Sequence, residues 1–228
     1  MFIINQIRAC ILTALKAEAK PYFDALGEHE IIKHEKIKIH EGLIHGVPVA
    51  VAVGGVRRKN AANAAHILTE RYQRACLIVS GTAGGLDSTL KIGDTVVADE
   101  TVYHDTPDDR SIYLSDDALI TCCQYALDKN PPGHPVYYGR MATGDAFITK
   151  NNRASIIENF HPLCADMETA AAARVCFDKS VPFIAVRSIT DVEENVSHFT
   201  FYKNMAAASR RSCRVTCAML KEMASSQA

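Results

Sequence analysis

Two carboxylates and a glycine-rich segment stand where apolar, strand-like stretches of this sequence end. Glu18 comes soon after the first such stretch, and Asp191 comes soon after the last, Phe183–Arg187. The glycine-rich segment, Gly81–Gly85, directly follows Cys76–Ser80. Sheets of α/β proteins bind ligands at the carboxyl ends of their strands, and glycines let backbone N–H groups come close to an oxygen-bearing ligand. The pattern therefore predicts one ligand site built from all three features.

Each of these features also has an ordinary structural explanation. Asp191 could cap a helix that follows a strand, and Glu18 or Glu168 could stabilise the first turn of a helix through its macrodipole. The glycine-rich segment could be a tight turn, because it has neither the lysine of a phosphate-binding loop nor the G-x-G-x-x-G spacing of a dinucleotide site. A purely structural role for any one of them stays open on this evidence.

Strand-like stretches alternate with helical patterns along the whole chain. This alternation predicts an α/β fold, a three-layer α/β/α sandwich around a central mixed, largely parallel sheet, in a single domain spanning residues 1–228. The predicted strands are Ala9–Ala14, Lys36–His40, Val47–Val53, Cys76–Ser80, Thr95–Asp99, Phe183–Arg187 and a short one near Tyr137. The predicted helices are Lys16–Leu26, Lys59–Arg74, Ser115–Leu127, Asn152–Phe160, Glu168–Lys179 and about Phe201–Ala224.

Composition narrows the class of protein. The 25 basic and 26 acidic residues give a formal net charge of −1, which argues against a nucleic-acid or membrane-surface partner. No apolar run approaches the roughly 18 residues of a membrane-spanning helix. The eight cysteines are scattered and complete no zinc-binding pattern, so we expect reduced thiols, no metal and no cofactor. A cytoplasmic enzyme or binding protein for a small molecule is the resulting prediction.

Six motifs in this chain resemble those of one enzyme family. They are ALKAEAKPY, GTAGGL followed by KIGDTVVADETVYHD, TGDAFI (Thr143–Ile148), DMETAA (Asp166–Ala171), VRSITD (Val186–Asp191) and SHFTF (Ser197–Phe201). In this order they resemble the 5′-methylthioadenosine/S-adenosylhomocysteine nucleosidases of the purine nucleoside phosphorylase/uridine phosphorylase superfamily. The resemblance spans nearly the whole chain. It implies a nucleoside phosphorylase-like fold, hydrolysis of a purine nucleoside without a cofactor, and a homodimer.

The resemblance also implies catalytic roles for Glu18, Asp191 and Arg187. Asp191 would protonate N7 of the leaving adenine, and Glu18 would be the base that holds the attacking water. Arg187 and Thr82 would help to position that water. Such a division fits N-glycoside cleavage, in which the base leaves with the bonding electrons while the sugar gains positive charge. The acid must stay protonated near neutral pH, so the pKa of Asp191 should be raised.

Further residues would bind the substrate. By the resemblance, Glu168 would hold the ribose hydroxyls, with Met167 under the sugar. Phe147 would stack on the purine, and the Ile148 backbone would contact the edge of the purine ring. Phe201 would close over the nucleoside. Taken without the motif, Phe147 is as easily a core residue, and His104 and His198 are as easily structural or solvated. The substrate-binding set implied is Thr82, Ala83, Gly84, Phe147, Ile148, Met167, Glu168 and Phe201.

Several departures leave alternatives open. Asp166 stands where the family commonly has glutamate, Leu15 where it often has methionine, and the stretch after His104-Asp105 is shorter than usual, so the 5′ substituent is not fixed. A phosphorylase of the same superfamily needs a phosphate site. Val79 replaces an arginine of such sites, whereas Arg57-Arg58 at a helix start could bind an anion. A non-catalytic nucleoside-binding protein is the remaining alternative.

Overall fold

A computed structural model describes residues 6–106, 111–145, 148–192 and 198–225, with the side chains of 198–201 outside that description. Strands and helices alternate as the sequence predicts. The strands are β1 (Ala9–Thr13), β2 (Glu30–His34), β3 (Ile37–Ile44), β4 (Val47–Val53), β5 (Cys76–Gly85), β6 (Thr95–Tyr103), β7 (Ile112–Leu114), β8 (Val136–Thr143), β9 (Cys164–Asp166) and β10 (Phe183–Asp191). The helices are α1 (Lys16–Leu26), α2 (Arg58–Arg71), α3 (Asp117–Lys129), α4 (Lys150–Phe160), α5 (Thr169–Asp178) and α6 (His198–Ser225).

The strands form one mixed sheet. Its centre is parallel, with β4, β1, β5 and β10 side by side. Strands β6–β8 and β8–β9 also pair in parallel, whereas β10–β6 and β9–β5 pair antiparallel. Five strands therefore close a ring that runs β5, β10, β6, β8, β9 and back to β5. Parallel strands β1, β5 and β10 bring their carboxyl ends to one edge.

Helices cover both faces of the sheet and produce the three predicted layers. Helices α1, α3 and α6 share one apolar core with the sheet, through side chains such as Tyr22, Leu119 and Met219. Helices α2 and α5 share the core on the opposite face. Both of these helices are lined with buried alanines, including Ala64 and Ala172. Small side chains let the two helices lie close to the strands that carry the predicted site.

The predicted fold class is confirmed, but the glycine-rich segment is not a turn. Strand β5 continues from Cys76 through Gly85, because it pairs with β10 along its length and with β9 at its end. Glycine has a low strand propensity, and pairing on both sides overrides it. Strand β10 likewise runs on to Asp191, so this carboxylate stands at the end of a strand. Sequence patterns missed the largely exposed β2 and the three-residue strands β7 and β9.

Candidate active site

Glu18 is a fully enclosed carboxylate that joins the ends of β1 and β5. It lies in the first turn of α1 and is only 2% exposed. One carboxylate oxygen accepts hydrogen bonds from the backbone N–H groups of Ala14 and Leu15 at 3.0 and 2.9 Å. The other accepts from the N–H and the hydroxyl of Thr82 at 2.8 and 2.9 Å. Glu18 thus does cap its helix, as the structural explanation held, while its second oxygen binds strand β5.

Arg187 lies at the centre of three carboxylates. It is 1% exposed on β10, and its Nη2 lies 2.6 Å from Asp166 Oδ2 and 3.4 Å from Glu168 Oε2. Its Nη1 lies 3.9 Å from Glu18 Oε1. A single buried guanidinium facing three carboxylates leaves an excess of negative charge, which suits a site where positive charge develops. In the sequence, Asp166 is recognisable only as a departure from the family pattern, and no motif predicts its ion pair with Arg187.

Glu168 stands at the N-cap of α5 and connects Arg187 to the start of α2. Its Oε1 accepts a hydrogen bond of 2.9 Å from the backbone N–H of Arg57. Burial raises the pKa of Glu168 to about 7; the nearby Arg187 opposes this shift, and Asp166 adds to it. Arg57 has a φ of 83°, a conformation that non-glycine residues seldom adopt. That backbone geometry directs the N–H of Arg57 toward Glu168. No sequence motif predicts this contact.

Asp191 lies at the end of β10 in different surroundings. It is half-buried, and the hydroxyl of Thr190 donates a hydrogen bond of 2.6 Å to its Oδ1. Burial raises the pKa of Asp191 from its ordinary value, while the bond from Thr190 and the charge of Arg153 act in the opposite direction. A raised pKa is the direction that the predicted role of Asp191 as a proton donor requires.

The glycines of β5 allow these side chains to approach the strand. A Cβ on Gly81 would lie 2.5 Å from Glu18 Oε1 and 2.7 Å from Arg187 Nη1. A Cβ on Gly84 would lie 3.1 Å from Asp191 Oδ2. Strand β5 therefore passes beneath both halves of the site, with Gly81 on the Glu18 side and Gly84 on the Asp191 side. Both glycines belong to the glycine-rich segment of the predicted site, although only Gly84 is in the substrate-binding set that the resemblance implies.

Arg58 holds together the segments that follow β6 and β8. Its guanidinium lies 2.7 Å from Asp145 Oδ2, 3.0 Å from Asp105 Oδ1 and 2.7 Å from the Thr106 hydroxyl. The Cζ atom of Arg58 lies 5.4 Å from the centroid of the Tyr103 ring. The N–H of Asp145 donates to Asp105 at 2.7 Å, which completes the cluster. The arginine that could have bound an anion is therefore paired with two carboxylates.

The other predicted residues fall into two groups. Thr82 and Ala83 are buried on β5, Met167 is half-buried just before Glu168, and Ile148 packs against the small core near α4. A narrow cleft next to Glu168 and Arg187 is lined by Leu12, Thr13, Ala14, Gly54, Gly55, Ala61 and Val79. Phe147 lies outside the described residues, and so do the side chains of Phe201 and His198.

The described part of the chain also bears on metal binding, membrane insertion and disulfide formation. Within these ranges no cluster of three or more histidine, cysteine, aspartate or glutamate side chains could hold a metal ion. No helix in the same ranges is both long and apolar enough to span a membrane. All eight cysteines lie inside the described ranges, and each is a free thiol.

A family comparison decides the relationship that these motifs suggested. The family described as the phosphorylase superfamily matches residues 8–221. The chain belongs to the phosphorylase superfamily. Among solved structures, this superfamily member is similar to a 5′-methylthioadenosine/S-adenosylhomocysteine nucleosidase from Colwellia psychrerythraea 34H in complex with adenine. The two are 27% identical over 96% of each chain, with a TM-score of 0.90.

Two further solved structures are similar to this phosphorylase-superfamily chain. The nucleosidase of the same name from S. pneumoniae, solved with a transition-state inhibitor, is 25% identical over 95% of this chain and all of that one, with a TM-score of 0.88. The Neisseria meningitidis enzyme is 24% identical over 94% of this chain and 98% of its own, also with a TM-score of 0.88, and supports the fold alone. The resemblance drawn from the motifs is confirmed.

Proposed function

We propose that this member of the phosphorylase superfamily hydrolyses the N-glycosidic bond of a 5′-substituted adenine nucleoside, of the 5′-methylthioadenosine or S-adenosylhomocysteine type. The products are adenine and a thioribose. The similarity to nucleosidases solved with adenine and with a transition-state inhibitor supports this choice of substrate. The carboxylates gathered at the edge of β1, β5 and β10 support the choice of reaction.

One observation favours hydrolysis over phosphorolysis: an internal carboxylate fills the site where an anion could bind. Three backbone N–H groups and one hydroxyl converge between β1 and β5, and all four donate to Glu18. The N-terminus of α2 is occupied in the same way, because the N–H groups of Arg57 and Arg58 face Glu168 and Asp145. A phosphate entering either place would displace a carboxylate and meet its charge. Water is the nucleophile that these surroundings accept.

The proposed mechanism divides the work between the two sides of β5. Asp191, whose pKa burial raises, donates a proton to N7 of adenine as the glycosidic bond breaks. Glu18 then takes a proton from the attacking water, and the rotatable hydroxyl of Thr82 is the donor that can turn from Glu18 toward that water. Arg187 pairs with the carboxylates of Glu18, Asp166 and Glu168, and it helps to position the water through them.

The sugar and the purine have separate contacts in this proposal. Glu168, with one oxygen held by Arg57 and the other near Arg187, accepts from the ribose hydroxyls, and Met167 lies under the ring. Phe147 and the Ile148 backbone bind the purine, and Phe201 closes over the nucleoside. Ala83 and Gly84 let the base approach the strand next to Asp191. Excess negative charge around the sugar stabilises the cationic transition state.

The deciding experiment measures free base from 5′-methylthioadenosine, adenosine and inosine, with and without inorganic phosphate. We expect adenine to be released from 5′-methylthioadenosine at the same rate in both conditions, with a free sugar as co-product. Release that needs phosphate and yields a sugar 1-phosphate would make the protein a phosphorylase, and tight binding without release would make it a binding protein. As a matched variant, Glu18→Ala vacates the anion site, and calorimetry should detect phosphate binding to it but not to the parent.

We further propose a cytoplasmic homodimer. Free thiols throughout the chain suit a reducing compartment. Leu114 and Phe177 are each 70% exposed, and Phe177 contacts Tyr113 edge-on at 5.9 Å, so β7 and the end of α5 carry neighbouring exposed apolar groups. A partner covering this surface would contact β7, the strand into which the stretch after Asp105 leads along the chain. Sedimentation of the purified chain tests the proposal, and a monomer with full activity contradicts it.

A further inference from the structure

Arg58 occupies a position that helix stability does not explain. It is the first residue of α2, Lys59 follows it, and the first turn of the helix contains no acidic residue. Cations at a helix N-terminus oppose the macrodipole, so this placement weakens the helix. The side chain is about a quarter exposed, at 27%, so solvent partly screens its ion pairs and weakens their contribution to stability. Its position needs another reason.

The contacts of Arg58 join segments that are distant in the chain. Asp105 comes two residues after β6 ends, and Asp145 comes two residues after β8 ends. Their carboxylates lie on the same guanidinium, and the Asp105 carboxylate also accepts the N–H of Asp145. Without a cation between them, two such carboxylates would repel each other. Arg58 lowers the pKa of Asp145, which is the signature of this pairing.

Each segment held by this cluster leads to a different part of the proposed nucleoside site. Asp145 directly precedes residues 146–148, the purine segment of the TGDAFI motif. Asp105 precedes the stretch assigned to the 5′ substituent. Arg57, the neighbour of Arg58, holds Glu168 through its backbone N–H at 2.9 Å. The two residues at the start of α2 therefore contact Asp145, Glu168 and Asp105, which respectively precede the purine stretch, face the proposed sugar site and precede the 5′ stretch in the sequence.

We propose that Arg58 is a positioning residue that fixes Asp105 and Asp145, from which the 5′ and purine stretches continue along the chain, to the start of α2, so that the ends of the nucleoside are bound in register with the sugar. This inference rests on the proposed function for its substrate, though not for its contacts. Arg58 touches neither Asp191 nor Glu18, so it acts on binding and leaves the chemical step alone.

The test compares Arg58→Gln, Arg58→Lys, Asp145→Asn and the double variant Arg58→Gln/Asp145→Asn in the full chain. We expect Arg58→Gln to raise KM for 5′-methylthioadenosine and the Kd for adenine by about tenfold, as for the loss of one charge-assisted hydrogen bond, with kcat within about threefold of the parent. Arg58→Lys should recover part of the affinity, because one ammonium cannot bridge both carboxylates in the same planar geometry. The double variant should lose less than the two single losses combined.

The control is Arg71→Gln, which removes an ion-paired arginine from the opposite end of the same helix. It should change none of these constants. If Arg58 had only a structural role, Arg58→Gln would lower the melting temperature and the active fraction, while KM and the adenine Kd stayed at the parental values. That result would overturn the proposal. Asp145→Asn provides the same readout if Arg58→Gln does not fold. Adenine affinity, measured by calorimetry, separates this proposal from the proposed function: a parent that binds adenine without hydrolysis refutes only the latter.

Discussion

Asp191 and Glu18 are carboxyl groups at the same edge of one sheet, yet their surroundings suit them to opposite tasks. Glu18 accepts four hydrogen bonds, three of them from backbone N–H groups. Within the described part of the chain, Asp191 accepts one from the Thr190 hydroxyl, and burial raises its pKa. Groups whose environments differ in this way are the usual pattern for a base and an acid in one site.

Asp191→Asn tests the assignment of the acid. Asparagine keeps the shape but has no proton to give N7, so we expect kcat for 5′-methylthioadenosine to fall by roughly 10²- to 10⁴-fold. The parent should also lose activity as pH rises through the raised pKa of Asp191, and the variant should lack that limb. Adenine release measured across pH reports both effects. Asp24→Asn, a change at an exposed ion pair on α1, is the control, and near-parental turnover in Asp191→Asn would remove the acid from this mechanism.

At the scale of elements, strand β5 determines the geometry of the site. Gly81→Ala would place a methyl group 2.5 Å from Glu18 Oε1 and 2.7 Å from Arg187 Nη1, both held in rigid networks. We expect a large loss of kcat and a destabilisation of about 1–3 kcal/mol, as for overpacking elsewhere. Gly84→Ala has more room, at 3.1 Å from Asp191 Oδ2, so its effect on stability should be smaller. Adenine release and urea denaturation measure the pair, and equal effects would contradict this reading of β5.

Sequence patterns predicted most of the helices and strands, because apolar periodicity and helix caps are local signals. They also predicted that the candidate residues gather at one edge of the sheet. Helix α1 has the predicted bounds, and Glu18, Thr82 and Glu168 all lie next to Arg187. The continuation of β5 through its glycines depends on pairing with β9 and β10, which are far away in the chain. The N–H of Arg57 and the cluster around Arg58 depend equally on tertiary contacts, so no local pattern encodes them.

At the scale of the whole molecule, the raised pKa of Glu168 makes stability depend on pH. Its folded pKa of about 7 exceeds the ordinary value of 4.5, so between these values the folded state holds a proton that the unfolded state has lost. This group therefore makes the free energy of unfolding fall as pH rises from about 4.5 to about 7. Glu168→Gln stays neutral throughout and should escape that fall.

Urea denaturation of the parent and of Glu168→Gln from about pH 5 to about pH 7.5 isolates this contribution. The difference in the free energy of unfolding between variant and parent should shift in favour of the variant as pH rises. A difference that stays constant across the range would mean that Glu168 is ionised throughout. Other titrating groups cancel in this comparison, because both proteins contain them.

The ring of five strands also bears on how the chain is made. Strand β10 lies between β5 and β6, although about a hundred residues of sequence separate it from β5. During synthesis β5 therefore emerges from the ribosome long before the neighbour that carries Arg187 and Asp191. Until β10 inserts, the nascent chain has an open edge along β5, no counter-ion for Glu18 and no acid. The chain should therefore gain its proposed activity only after β10 has been synthesised and has paired with β5. Ribosome-bound chains halted before β10 should be inactive.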